Sequence, residues 1–124
     1  RVLFRSNIQE STNYISERIN NNESTIFLAL TENNNPAGFV QLYETFGSLQ
    51  LGKIIILYDL YVTEECRKHG IGEKLIKISQ EYAESISAKS IELSTAKDNL
   101  TAQSLYEKIG YIRDKEFYSY SYDL

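Results

Sequence analysis

Arg67-Lys68-His69-Gly70-Ile71-Gly72 decides how this chain is read. The stretch lies between a long apolar strand pattern, Ile54 to Val62, and an amphipathic helix pattern, Gly72 to Ile86. A loop with glycines at 70 and 72 that opens a helix can turn several backbone N–H groups toward one anion. Glycine lets the backbone bend freely and lets a phosphate approach with no Cβ in the way. The helix N-terminus adds roughly half a positive charge. Arg67 supplies a side-chain cation at the lip. The expected structure is a pyrophosphate cradle and the expected ligand is nucleotide-like. The alternative is an ordinary strand–turn–helix with a Gly-rich corner.

Two familiar cradles are excluded by spacing. The dinucleotide pattern G-x-G-x-x-G/A has Leu75 at its third position, which blocks close helix–strand packing. The pattern G-x-x-x-x-G-K-[ST] fails because Glu73 and Lys74 follow Gly72. What remains is R-x-x-G-x-G after a strand ending Leu60-Tyr61-Val62. This spacing resembles the acetyl-CoA loop of the GNAT acetyltransferase superfamily. A second stretch, Asn99-Leu100-Thr101-Ala102-Gln103-Ser104-Leu105-Tyr106-Glu107-Lys108-Ile109-Gly110-Tyr111, is similar to the other GNAT signature, N-x-x-A-x-x-L-Y-x-x-x-G-[FY]. Two motifs in the right order are far less expected by chance than one. The resemblance covers roughly residues 7 to 124, and is strongest to small bacterial acetyltransferases.

Bulk properties agree. A chain of 124 residues is expected to form one domain, residues 1–124. The net charge of −4 argues against a nucleic-acid surface, which normally needs a basic field. It is compatible with a cationic substrate. The single Cys66 rules out an internal disulfide and fits a reducing cytoplasm. One His and one Cys leave no ligand set for zinc, so no metal is expected. No apolar run approaches the ~18 to 20 residues that span a bilayer, so no membrane partner is expected. A homodimer is compatible with all of this. The chain opens at Arg1 and has no methionine. The resemblance implies that the first strand and most of the first helix of such a domain are missing.

Periodicity supplies the elements. Ser11 is expected to cap a helix to about Asn21. Strands are expected at Thr25–Leu30, Gly38–Thr45 and Lys53–Val62, with a turn at Asn33–Gly38 and a loop at Phe46–Gly52. The helix after the cradle has Ile71, Leu75, Ile78, Tyr82 and Ile86 at helical spacing. A strand over Lys89–Thr95 comes next, then a helix with Ala102, Leu105 and Ile109 inward, stopped by Gly110. Tyr111–Arg113 and Phe117–Leu124 read as a final hairpin turned at Asp114-Lys115. The fold class is α/β: a mixed, mostly antiparallel sheet flanked by helices.

The resemblance implies a division of chemical labour. Leu60, Tyr61 and Val62 would offer backbone groups to the pantetheine arm, and one amide would polarise the thioester carbonyl. Arg67, Lys68, His69, Gly70, Ile71 and Gly72 would hold the pyrophosphate, with Lys68 and His69 contributing mainly backbone. Cys66 reads as structural, since no base partner is evident. Asn99 would touch the pantetheine amide, cap the helix, or do both. Tyr106 is the candidate general acid. A phenol with pKa ~10 protonates a thiolate with pKa ~8.5 at a cost of only ~1.5 units. The acceptor amine must be made neutral, and Asp59 is the candidate to take its proton or to anchor it. Related diamine acetyltransferases show a similar Glu-Asp-aromatic-aromatic-Val strand, but here Tyr58 stands where the glutamate base would be. Glu44 is a weaker reserve. The expected activity is transfer of acetyl from acetyl-CoA to a small-molecule primary amine. A protein lysine or N-terminus as acceptor, a non-catalytic acetyl-CoA-binding module and a purely structural domain are the rivals.

Overall fold

The computed structural model describes residues 7–124. The expectation that residues 1–6 end an earlier element lies outside the described residues. The chain divides into two compact units, with the break between Ser94 and Thr95. In the first, α1 (Ile8–Asn20) is followed by β1 (Thr25–Leu30), β2 (Pro36–Gly47), β3 (Gly52–Val62), α2 (Ile71–Ser85) and β4 (Ser90–Glu92). The four strands form one sheet in the order β1-β2-β3-β4. β1, β2 and β3 are antiparallel, while β3 and β4 run parallel and are joined through α2. The mixed, mostly antiparallel α/β class is therefore as expected.

Local chemistry explains most boundaries. α1 starts four residues earlier than expected, because Asn7 rather than Ser11 caps it. The Asn7 side chain accepts from the Glu10 amide at 3.0 Å, and its carbonyl takes the Ser11 amide at 3.1 Å. Asn22 and Asn34 adopt left-handed backbone angles in the two following turns, a region that asparagine tolerates. The core lies where β2, β3 and α2 meet: Val40, Leu42, Ile55 and Ile76 are fully buried. β2 and β3 approach so closely that a Cβ on Gly38 would stand 2.6 Å from the Tyr61 carbonyl oxygen.

α2 turns inward a face that only partly matches the one its spacing suggests: Leu75 and Tyr82 meet the sheet as expected, and Ile78 does not. Leu75, Ile76, Ser79 and Ala83 are buried, whereas Ile78 is 42% exposed. Ser79 can be buried because its hydroxyl donates to the Leu75 carbonyl at 2.8 Å. β4 is also shorter than expected: three residues rather than seven. It pairs with β3 only at Ile54, Ile55 and Ile56.

The register between β2 and β3 has one irregularity. Gln41 pairs with Asp59, but Leu42 pairs with Leu57, so Tyr58 is an extra residue on β3. Such a β-bulge bends the strand and re-aims the residues beyond it. Before it, the Lys53 carbonyl accepts from the Lys89 amide, so odd-numbered residues of β3 direct their backbone groups toward the β4 side. After it, the Thr63 amide donates to the Ala37 carbonyl on β2. By alternation, Asp59 and Tyr61 now face β2, and the backbone groups of Leu60 and Val62 point the other way. β4 offers those groups no ladder partner.

In the second unit, α3 (Leu100–Ile109) is capped by Asn99 and ended by Gly110 in a left-handed conformation, as expected. The expected hairpin over 111–124 is not formed. No ladder includes these residues, and Tyr118, Tyr120 and Tyr122 are exposed. A strand exists only through a partner, and alternation of tyrosines supplies none. The turn itself is where it was expected: Asp114 accepts from the amides of Glu116 and Phe117 at 2.8 and 3.1 Å.

The α2 register makes a testable contrast. Ile76→Ala should cost about 2–5 kcal/mol of stability, the usual range for emptying a packed aliphatic site. Ile78→Ala should cost well under half as much. Urea unfolding of both variants measures the difference, and equal losses would restore the face suggested by spacing.

Candidate active site

The loop before α2 turns several backbone amides to one side of the chain's path with no partner for them among the described residues. Thr63 leads into a short 3-10 turn, Glu64–Cys66, in which the free Cys66 thiol is half-buried. Lys68 and Gly70 both take left-handed backbone angles, with φ of 66° and 78°. Among the described residues the amides of Lys68, His69 and Gly70 make no hydrogen bond. Those of Ile71 and Gly72 open α2, where a helix has no internal acceptor for them. A Cβ built on Gly70 meets nothing within 4 Å, so the space over the loop is open. Arg67 donates through Nε to the Val62 carbonyl at 3.0 Å, and its guanidinium carbon stands 5.7 Å from the Tyr61 ring centroid. Its terminal nitrogens have no ion pair or hydrogen bond among the described residues. His69 is exposed at the loop surface.

The cradle adjoins the far end of β3. Leu60 and the Val62 amide present backbone groups on the edge where β4 has stopped, the Val62 carbonyl being taken by Arg67, while Tyr61 faces β2. An extended ligand running from the loop along this edge would find donors and acceptors at strand spacing.

Asp59 opens on a cleft of about 1270 Å³ lined by α1, β1, β2, β3 and Tyr82 of α2. Its Oδ2 accepts from the Gln41 side-chain amide at 2.7 Å, and the Gln41 carbonyl accepts from the Ser24 hydroxyl at 2.8 Å. Gln41 is 2% exposed. Asp59 has no ion pair among the described residues. Glu44 is differently placed: Lys53 lies 3.7 Å from one oxygen and the Tyr82 hydroxyl donates to the other at 3.2 Å. On the same wall the hydroxyls of Tyr14 and Tyr43 are 3.1 Å apart, and the Tyr43 and Tyr58 rings meet edge to face. Burial, the bond to Tyr14 and the Asp59 charge push the Tyr43 hydroxyl well above the usual phenol range. Sequence reasoning passed over Gln41, Tyr14 and Tyr43. The one signal was that Gln41 stands amid apolar residues on a central strand.

In the second unit, the Asn99 side chain accepts from the Ala102 amide at 3.2 Å, which realises its capping role, and its NH2 group makes no hydrogen bond among the described residues. Tyr106 is half-buried, and burial raises its pKa. Its ring packs against Tyr111 at 5.9 Å between centroids. Among the described residues its hydroxyl has no hydrogen-bond partner.

Residues 3–111 match the acetyltransferase (GNAT) family. The chain belongs to the GNAT acetyltransferase family. It is 39% identical to YhfO, an uncharacterised N-acetyltransferase of Bacillus subtilis, over 97% of this chain and 81% of that one. It is 33% identical to a D-amino-acid N-acetyltransferase of Saccharomyces cerevisiae, over 71% of this chain and 55% of the relative. Among solved structures, a probable acetyltransferase superposes with a TM-score of 0.90 at 35% identity, covering 98% of this chain and 81% of that one. The GNAT assignment thus rests on sequence and on fold together.

Raised tyrosine pKa values have a pH consequence. A phenol whose folded pKa exceeds its unfolded value of ~10 supports the fold fully below pH ~10 and loses that support as pH climbs through the folded value. Stability should therefore decline in strongly alkaline solution. Tyr43→Phe and Tyr106→Phe should each flatten the decline. Urea unfolding between pH 8 and ~11.5 measures it, and an unchanged slope in both variants would refute the assignment.

Proposed function

We propose that this chain transfers the acetyl group of acetyl-CoA to a primary amine of a small molecule. One observation carries the reading: the edge of β3 that β4 leaves without a ladder partner, at Leu60 and the Val62 amide, runs into the loop at Lys68–Gly72, with Asp59 on the same strand facing a cleft. The bound thioester would supply an activated carbonyl carbon. Arg67 and the cradle amides hold the pyrophosphate. Leu60 and the Val62 amide bond the pantetheine arm through the backbone, the Val62 carbonyl being held by Arg67, and Asn99 assists through its NH2 group. Asp59 receives the acceptor's ammonium, as anchor or as base. Glu44 is a poor substitute, because both of its oxygens are engaged.

Tyr106 gives the leaving sulfur a proton. Burial raises its pKa, so complete transfer is costlier than the ordinary phenol value implies. The hydroxyl therefore acts best as a strong hydrogen-bond donor while the carbon–sulfur bond breaks. With its single free cysteine, the chain suits a reducing compartment such as the cytoplasm.

Binding and turnover test this separately. Coenzyme A at 100 times its dissociation constant should stabilise the fold by ~2.7 kcal/mol. Gly70→Val should abolish that shift, since the side chain would occupy the open space over the loop. No thermal shift at millimolar coenzyme A would overturn the cofactor assignment. Acetyl transfer to a panel of butylamine, 1,4-diaminobutane, L-lysine and a D-amino acid tests the acceptor class. The last is the class named for the yeast relative. Tyr106→Phe should lower kcat ~10²-fold with little change in stability. Unchanged turnover would return Tyr106 to a packing role.

A further inference from the structure

Gln41 is a buried polar side chain on the central strand of the sheet, at 2% exposure. An amide there is costly unless all its groups are bonded. Its two described bonds run in one direction. Ser24 Oγ donates to Oε1 at 2.8 Å, and Nε2 donates to Asp59 Oδ2 at 2.7 Å. The direction is fixed by chemistry. A carboxylate only accepts, so it needs the NH2 end, and the hydroxyl must then give its proton to the carbonyl end. A flipped amide would set its carbonyl oxygen against the Asp59 oxygen. Ser24 thus selects the orientation of Gln41, and Gln41 selects the orientation of Asp59. The bond leaves Oδ1 of Asp59 with no partner among the described residues, on a carboxylate that has no ion pair.

We infer that Gln41, oriented by Ser24, is a positioning residue for the acceptor amine: it pins Asp59 by one oxygen and leaves the other for the ammonium. The inference rests on the proposed role of Asp59. It goes beyond that role by explaining why a glutamine is buried on β2. It also makes the site depend on Ser24 at the entrance to β1.

Four single variants, with Asp59→Asn alone and combined with Gln41→Leu, test it with the best amine of the panel. Gln41→Leu keeps the approximate volume and removes both bonds. It should lower kcat/KM for the amine ~10-fold to 100-fold, as misplacement of a catalytic group does, and leave KM for acetyl-CoA unchanged. Gln41→Glu keeps the shape but faces a carboxylate with a carboxylate, so one proton is shared between them. Its pH profile of kcat/KM should shift along the pH axis, which a purely structural glutamine would not cause. Ser24→Ala should act in the same direction more weakly, and Ser24→Thr should restore activity. In the Asp59→Asn background Gln41→Leu should cost little more, because the two act through one carboxylate.

The outcomes separate the two ideas. If Asp59→Asn matches wild type, the proposed role of Asp59 falls and this inference with it. If Asp59→Asn is impaired while Gln41→Leu and Gln41→Glu behave as wild type, or if the losses simply add, Gln41 alone is refuted. A crystal structure of Gln41→Leu needs no acceptor. It should show the Asp59 carboxylate turned away or in two rotamers, and an unmoved carboxylate would overturn the positioning role.

Discussion

Tyr58 has no partner on β2, and much of the site depends on that one surplus residue. In a regular strand, neighbours point to opposite faces of the sheet. Here Tyr58 meets Tyr43, and Asp59 meets Gln41. Gln41 and Tyr43 are two apart on β2 and share a face, so the bulge brings Tyr58 and Asp59 to that same face. It also reverses which backbone groups look away from β2. The reversal falls just beyond Ile56, where the parallel pairing with β4 ends. One insertion therefore sets a carboxylate against the cleft and bares a strand edge leading to the cradle. Removing the surplus by deleting a residue would shift both at once.

Charge is sorted within the cleft as well as placed there. Arg18 is bound by Glu17 and Glu23 at 2.9 and 3.1 Å and leans over the Tyr14 ring. Glu44 is held by Lys53 and Tyr82. Asp59 has a neutral partner only, so its charge is not cancelled. An exposed ion pair contributes little to stability, but here such pairs leave Asp59 and Glu10 as the carboxylates of the cleft with no ion pair among the described residues. The chain's net acidity is too coarse to make that distinction. Local pairing makes it.

The same physics governs how much the sequence disclosed. Glycine at 70 and asparagine at 99 could be read because each residue type answers a local need, a left-handed bend or a helix cap, within three or four residues. β1, β2 and β3 showed through apolar runs. The inward face of α2 did not, because it depends on how the helix lies on the sheet, and Ile78 carries the same hydrophobic signal as Ile76. The length of β4 depends on a bulge in another strand, and no property of 90–95 announces it. The tyrosines at 118, 120 and 122 have the period of a strand without the partner that makes one. Gln41 was hidden for a related reason: its worth lies in Ser24 and Asp59, each 17 or 18 residues away.

The second unit shows how a short helix can hold one side chain firmly. Asn99 fixes the start of α3 through the Ala102 amide, and Gln103 ties the preceding turn down through the carbonyls of Ala96 and Lys97. At the other end, the Tyr106 carbonyl accepts from the amides of both Gly110 and Tyr111 at 3.1 and 2.9 Å. Gly110 makes this closure because its left-handed turn, φ 116°, brings the following chain back over the last turn of the helix. The same turn brings the Tyr111 ring to that of Tyr106. The motif residues Asn99, Tyr106, Gly110 and Tyr111 thus form one mechanical unit. Its product is a half-buried phenol, held in its neutral form by burial, with a hydroxyl unspent on any described neighbour. A hydroxyl so held is placed to donate a hydrogen bond rather than to part with its proton, and loses little conformational freedom in doing so.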